Sequence, residues 1–129
     1  LIKNKLNKKV EILGKAENNF LENLISKKIK LKDCLFLFDI EGDEFKLLNN
    51  NNLDKLRKSI LIVEIHDFYF PSKKFINNLS KKFKTKILTT ENRNLSEFTF
   101  LDNMHDSEKW LLANEGRPKK MQWIVCTPK

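Results

Sequence analysis

Two apolar runs in this chain each end in acid: Leu35-Phe36-Leu37-Phe38-Asp39-Ile40-Glu41-Gly42 and Ile60-Leu61-Ile62-Val63-Glu64-Ile65-His66-Asp67. A short continuous apolar run between helical patterns reads as a strand covered on both faces, the mark of a parallel sheet held between helices. Both runs carry their polar groups at the carboxyl end. In an open parallel α/β sheet that edge is where ligands bind, so Asp39, Glu41, Glu64 and His66 stand where chemistry is expected.

The remaining pattern extends the same architecture. Lys9-Val10-Glu11-Ile12-Leu13-Gly14 predicts a weak strand, and Phe20, Leu21, Leu24 and Ile25 recur at helical spacing after it. Phe45, Leu48, Leu53 and Leu56 predict a helix interrupted around Asn49-Asn50-Asn51-Asn52, a tract that reads as a tolerant surface turn. Pro71 suits a first helical turn, and Phe75, Ile76, Leu79 and Phe83 give that helix one apolar face. Lys86 to Thr90 predicts a strand, 91–104 a loop, Asp106 the cap of a short helix, and Met121 to Thr127 a closing strand. Strands alternating with helices predict βαβ units and a parallel or mostly parallel sheet.

At 129 residues the chain fits one domain, 1–129. No apolar stretch approaches the roughly 18 to 20 residues of a membrane helix, and the basic opening lacks a signal peptide's apolar region, so a soluble, cytoplasmic protein is expected. Cys34 and Cys126 sit inside apolar runs without metal-site spacing and read as buried free thiols. The net charge of +8 divides unevenly: +5 over residues 1–33, −3 over 34–70 and +6 over 71–129. The acidic third holds the strand-end acids. The basic residues are almost all Lys on polar helix sides, with few Arg to read bases, so a solvated surface is favoured over nucleic acid. A basic module for nucleic acid or another polyanion is the alternative from a different class; its mark is binding that falls steeply with salt and depends on Lys rather than on Asp39 or His66.

Three spaced motifs then carry a family likeness. Phe38-Asp39-Ile40-Glu41-Gly42 with Leu47-Leu48, Val63-Glu64-Ile65-His66-Asp67-Phe68, and Asn114-Glu115-Gly116-Arg117-Pro118 before Met121-Gln122-Trp123-Ile124-Val125 together resemble the FkbM-type family of class I S-adenosylmethionine-dependent methyltransferases, from about residue 9 to the end. The resemblance implies an α/β fold with a Rossmann-like methyltransferase sheet and helices on both faces. Its first two strands and glycine-rich cofactor turn are absent here: the three glycines are Gly14, Gly42 and Gly116, and Leu1 opens the chain, so a C-terminal portion of a larger domain is expected. The third strand would be Val10 to Leu13. By the same resemblance Lys15 and Ala16 lie along the adenine of S-adenosylmethionine, Asp39 stands by its methionine part, and Glu41, Glu64 and His66 line the side of a small-molecule or glycan acceptor. An inactive remnant kept for packing is a third reading.

Methyl transfer to a hydroxyl needs alignment and removal of a proton. His66 is the general-base candidate, because imidazole titrates near neutrality, with Asp67 or Glu64 to orient it; the plain alternative is a hydrogen-bonded histidine at a strand end. Asp39 and Glu41 have helix capping as their plain alternative. Asp39, Glu41, Glu64 and His66 also have the donor character of a divalent metal site, though no ligand spacing enforces one. Arg117 is suited to an acceptor carboxylate or phosphate, or to pinning its own loop against Glu115. Trp110 and Trp123 read as core residues.

Overall fold

The computed structural model describes residues 10–66, 71–91, 94–113 and 121–129. Its elements follow the alternation of the sequence: α1 (Phe20–Ser26), β1 (Leu35–Phe38), α2 (Glu44–Leu47), α3 (Asn50–Lys55), β2 (Ile60–Ile65), α4 (Ser72–Lys82), β3 (Phe83–Thr89), α5 (Asp106–Ala113) and β4 (Gln122–Pro128), with 3-10 turns at Leu31–Asp33, Leu95–Glu97 and Thr99–Leu101. The fold is α/β around a four-stranded mixed sheet in the order β1-β2-β4-β3. β1 pairs parallel with β2, while β4 pairs antiparallel with both β2 and β3. β1, β2 and β3 therefore run the same way, as βα units require, and the last strand enters between two of them reversed. The sheet is thus not the mostly parallel one expected. Its final strand starts beside the end of β3, where the Thr90 N–H donates to the Met121 carbonyl at 2.9 Å, and from there it can only run back.

One face of this sheet is the core. Phe38, Leu61, Val63, Ile65, Phe83, Ile124 and Cys126 pack against Leu21 of α1, Leu53 of α3 and Phe75 and Leu79 of α4. Phe75 and Leu79 stand four residues apart, one helical turn, which is why α4 lies on the sheet along one stripe. The opposite face is most open at β1 among the described residues, while Glu64 on it is buried and Ile62, Trp123 and Val125 are half-buried. Leu35 and Leu37 are 58% and 62% exposed, and their register partners Ile60 and Ile62 continue the same surface across β2. The expectation of helices on both faces is corrected to that extent: α1, α3 and α4 cover one face. No helix among the described residues is long and apolar enough to cross a membrane.

Three local expectations are also corrected. Val10 to Leu13 is no strand: Val10, Ile12 and Leu13 are exposed, and no backbone hydrogen bond joins them to β1 among the described residues. Alternating apolar residues become a strand only where a neighbour takes their N–H and C=O groups. The asparagine tract is structural rather than a tolerant turn. Asn49 caps α3, its side-chain oxygen accepting from the Asn52 N–H at 3.1 Å. Asn52 is fully buried and its amide donates to the carbonyls of Leu47 at 2.8 Å and Asn18 at 3.0 Å, tying α2, α3 and the approach to α1 together. Trp110, finally, is 70% exposed on α5 together with Leu111 and Leu112, while Trp123 on β4 is half-buried. A helix of eight residues with three consecutive large apolar groups cannot turn all of them inward.

Candidate active site

β1 and β2 lie side by side with Phe38 opposite Val63, so the residues that follow both strands emerge at the same edge. The backbone there leaves β1 through a turn in which Glu41 (φ 55°) and Gly42 (φ 102°) both take left-handed conformations. Glycine adopts that conformation freely; a glutamate held there costs on the order of 1 kcal/mol. The turn folds the acids of the first run back over the end of the second.

His66 is the centre of the result. It is completely buried, and four carboxylates surround it: Glu44 Oε1 lies 2.9 Å from Nδ1, while Glu41 Oε2, Glu64 Oε2 and Asp39 Oδ1 lie 3.4, 3.5 and 4.0 Å from Nε2. Glu44 and Glu64 are as buried as the histidine, whereas the side chains of Asp39 and Glu41 are 43% and 72% exposed. The imidazole therefore has a buried carboxylate at Nδ1, from Glu44, while two of the carboxylates near Nε2, those of Asp39 and Glu41, reach solvent and shield the ring from it. Burying several carboxylates is costly unless positive charge or donors compensate them. Glu44 Oε1 receives one such donor, the Ile40 N–H at 3.0 Å, and its Oε2 is buried with no hydrogen-bond partner among the described residues. No Lys or Arg among the described residues forms an ion pair with Asp39, Glu41 or Glu44.

The structure thus brings Asp39, Glu41, Glu64 and His66 together as the two runs foreshadow. Capping does not occupy Asp39 or Glu41: Asp43 stands at the N-cap of α2 and makes no side-chain cap there, its carboxyl instead held below the usual range by Lys46. Glu44 is the residue that sequence reasoning missed. The available signal is its spacing, since Glu44 falls on the same helical face as Leu47 and Leu48, three and four positions on, both of them buried. An acid on an apolar face needs a buried partner, and His66 is that partner.

Lys15 and Ala16 lie elsewhere along the same edge. They line a cavity of about 630 Å³ whose opposite wall is Ile40, Asp43, Lys46 and Leu47, from the turn after β1 and from α2. Asp39, Glu41 and His66 do not line it, and no hydrogen bond or ion pair joins Lys15 or Ala16 to them among the described residues. Asp67, proposed to orient His66, and Arg117, proposed to hold an acceptor anion, lie outside the described residues. Cys126, buried on the core face, has its thiol pushed up to about 12 by burial, which makes it a packing group.

No protein-family model matches the chain, and neither a curated protein nor a solved structure is significantly similar to it.

Proposed function

We propose that this chain is part of an S-adenosylmethionine-dependent methyltransferase of the FkbM type, acting on a hydroxyl of a sugar or secondary metabolite. The observation that carries this reading is the convergence of Asp39, Glu41 and Glu64 on the buried His66 at the carboxyl edge of two adjacent parallel strands. These residues come from two of the three motifs on which the resemblance rests. The mixed sheet is compatible with the later strands of a Rossmann-like methyltransferase sheet.

The donor supplies an electrophilic methyl group on a sulfonium cation. The acceptor oxygen forms a bond to that methyl carbon as the carbon–sulfur bond breaks, the electron pair stays on sulfur, and the hydroxyl proton must go to the protein. In this reading the acceptor hydroxyl approaches at the exposed carboxylates of Asp39 and Glu41, and the imidazole–carboxylate group of His66, Asp39 and Glu64 takes its proton. Four carboxylates make the edge electronegative, which suits a sulfonium, and by the resemblance Asp39 would stand by the methionine part of the donor. The cavity at Lys15 and Ala16 is of a size for a nucleoside-like group and opens beside the turn that carries Asp39. Glu41 and Arg117 are assigned to the acceptor.

The test is transfer of a radiolabelled methyl group from S-adenosylmethionine to a panel of hydroxylated sugars and small metabolites. Label in a base-stable ether, lost at least a hundredfold in Asp39→Asn, is the expected result. No transfer to any acceptor, or transfer unaffected by Asp39→Asn, overturns the reading.

A further inference from the structure

Three of the carboxylates around His66, those of Asp39, Glu41 and Glu44, pose a charge problem that the imidazole alone does not solve. Even as an imidazolium it offers one positive charge, and Asp39, Glu41 and Glu44 have no lysine or arginine partner among the described residues. Glu44 is wholly buried with one oxygen lacking a hydrogen-bond partner there, so the deficit lies in the interior, where water cannot screen it. We propose that the compensating charge is a divalent cation bound by Asp39 Oδ1, Glu41 Oε2 and His66 Nε2.

The geometry suits such an ion. The three ligand atoms lie within 4.8 Å of one another. Donors about 2.1 Å from a common ion stand roughly 3.0 Å apart at a right angle and roughly 4.2 Å apart across it. The 3.4 Å from Nε2 to Glu41 and the 4.0 Å from Nε2 to Asp39 fall in that interval. On the far side of the ring, Glu44 lies 2.9 Å from Nδ1, the position where a carboxylate fixes the orientation of a metal-bound imidazole and strengthens it as a ligand. The exposed Asp39 and Glu41 give an ion a way in, and their outward side leaves coordination positions for water or a hydroxyl. Two carboxylates with one imidazole favour a cation of the Mn²⁺, Fe²⁺ or Zn²⁺ kind over Ca²⁺.

This site stands whether or not the protein transfers methyl groups. If it does, Asp39, Glu41 and His66 would hold the ion, the ion would acidify the acceptor hydroxyl, and Glu64 would be the member of the proposed proton-accepting group left to take the proton. The experiment is a titration of the whole chain with Mn²⁺ alone, followed by the loss of the free-ion electron paramagnetic resonance signal, with no cofactor or acceptor present. One Mn²⁺ per chain is expected, with binding weakened at least tenfold in Asp39→Asn and in Glu41→Gln and about tenfold in Glu44→Gln. Asp39 and Glu41 are exposed, so their variants keep the fold, which circular dichroism checks. Asp106→Asn, an exposed acid far along the chain, binds as the parent does. Binding that is absent, or equally strong in the Asp39→Asn/Glu41→Gln double variant, overturns the proposal, and neither result bears on methyl transfer.

Discussion

The two faces of the sheet are built from nearly the same amino acids and meet opposite fates. On β1 and β2, Phe38, Leu61, Val63 and Ile65 vanish under α1, α3 and α4, while Leu35, Leu37 and Ile60 from the same strands remain exposed. Composition therefore records that a strand is able to be covered on both sides, and the covering elements decide whether it is. The acidic edge crosses this contrast: Glu64 alternates with the core residues Val63 and Ile65 and so shares the face of Ile60 and Ile62, yet it is buried, and α2, which begins at Glu44, closes the back of His66. Burial at the edge is thus a product of α2 and the turn before it, and the chemistry depends on it.

Substitutions that break the contrast most sharply compare equal changes on the two faces. Leu61→Ala, fully buried, is expected to cost about 2–5 kcal/mol in urea unfolding, whereas Leu37→Ala on the open face is expected to cost under about 1 kcal/mol. Equal losses would mean that Leu37 is covered in solution. Next comes the helix layer itself: Asn52→Ala removes the buried amide that joins α2 to α3 and should cost about 1–3 kcal/mol. Because α2 carries Glu44, the same change should loosen the edge and weaken Mn²⁺ binding. Glu41→Gly separates site from scaffold, since it relieves a left-handed glutamate; stability is expected to stay within about 1 kcal/mol of the parent while ion binding is lost.

Thiol reactivity sharpens the contrast without mutation. Cys126 on the core face should resist alkylation at pH 8 until the chain unfolds, while the half-buried Cys34, just before β1, reacts first. The smallest effect belongs to the ion pairs on the solvent side of the helix layer, between α1 and α3 and between α3 and α4. Lys55 holds Glu22, and Lys82 holds Asp54, with carboxyls below their ordinary values of 4.5 and 3.8. A depressed carboxyl stabilises the fold above its unfolded value and loses that contribution as pH falls through the folded one. Stability should therefore decline slightly as pH drops below about 4.5, and high salt should blunt the decline.

Much of this arrangement is legible in the residues. The acids and the histidine that close each apolar run meet as the run ends predict, because parallel neighbours in register must discharge at one edge. Glu44 is not legible from the same rule, since its burial comes from a tertiary partner two elements away, just past β2. The reversal of β4 is hidden for a related reason: its Trp123–Cys126 run is apolar like that of β2, and nothing in a strand's composition states its direction. Val10 to Leu13 has the alternation of a strand and lacks the neighbour that would make it one. The open face and the exposed Trp110 show the same limit, because periodicity measures capacity for burial and contacts decide the outcome.

The claim on which the functional reading turns is that the edge formed by the Gly14–Ala16 segment and the turn after β1 receives the cofactor. The most direct measurement is the backbone amide spectrum of the whole chain during addition of S-adenosylhomocysteine to millimolar concentration. The reading predicts saturable shifts confined to Gly14, Lys15, Ala16 and the Asp39–Gly42 turn, abolished in Asp39→Asn. A spectrum that does not change, or shifts scattered over the lysine-rich helices, would contradict it.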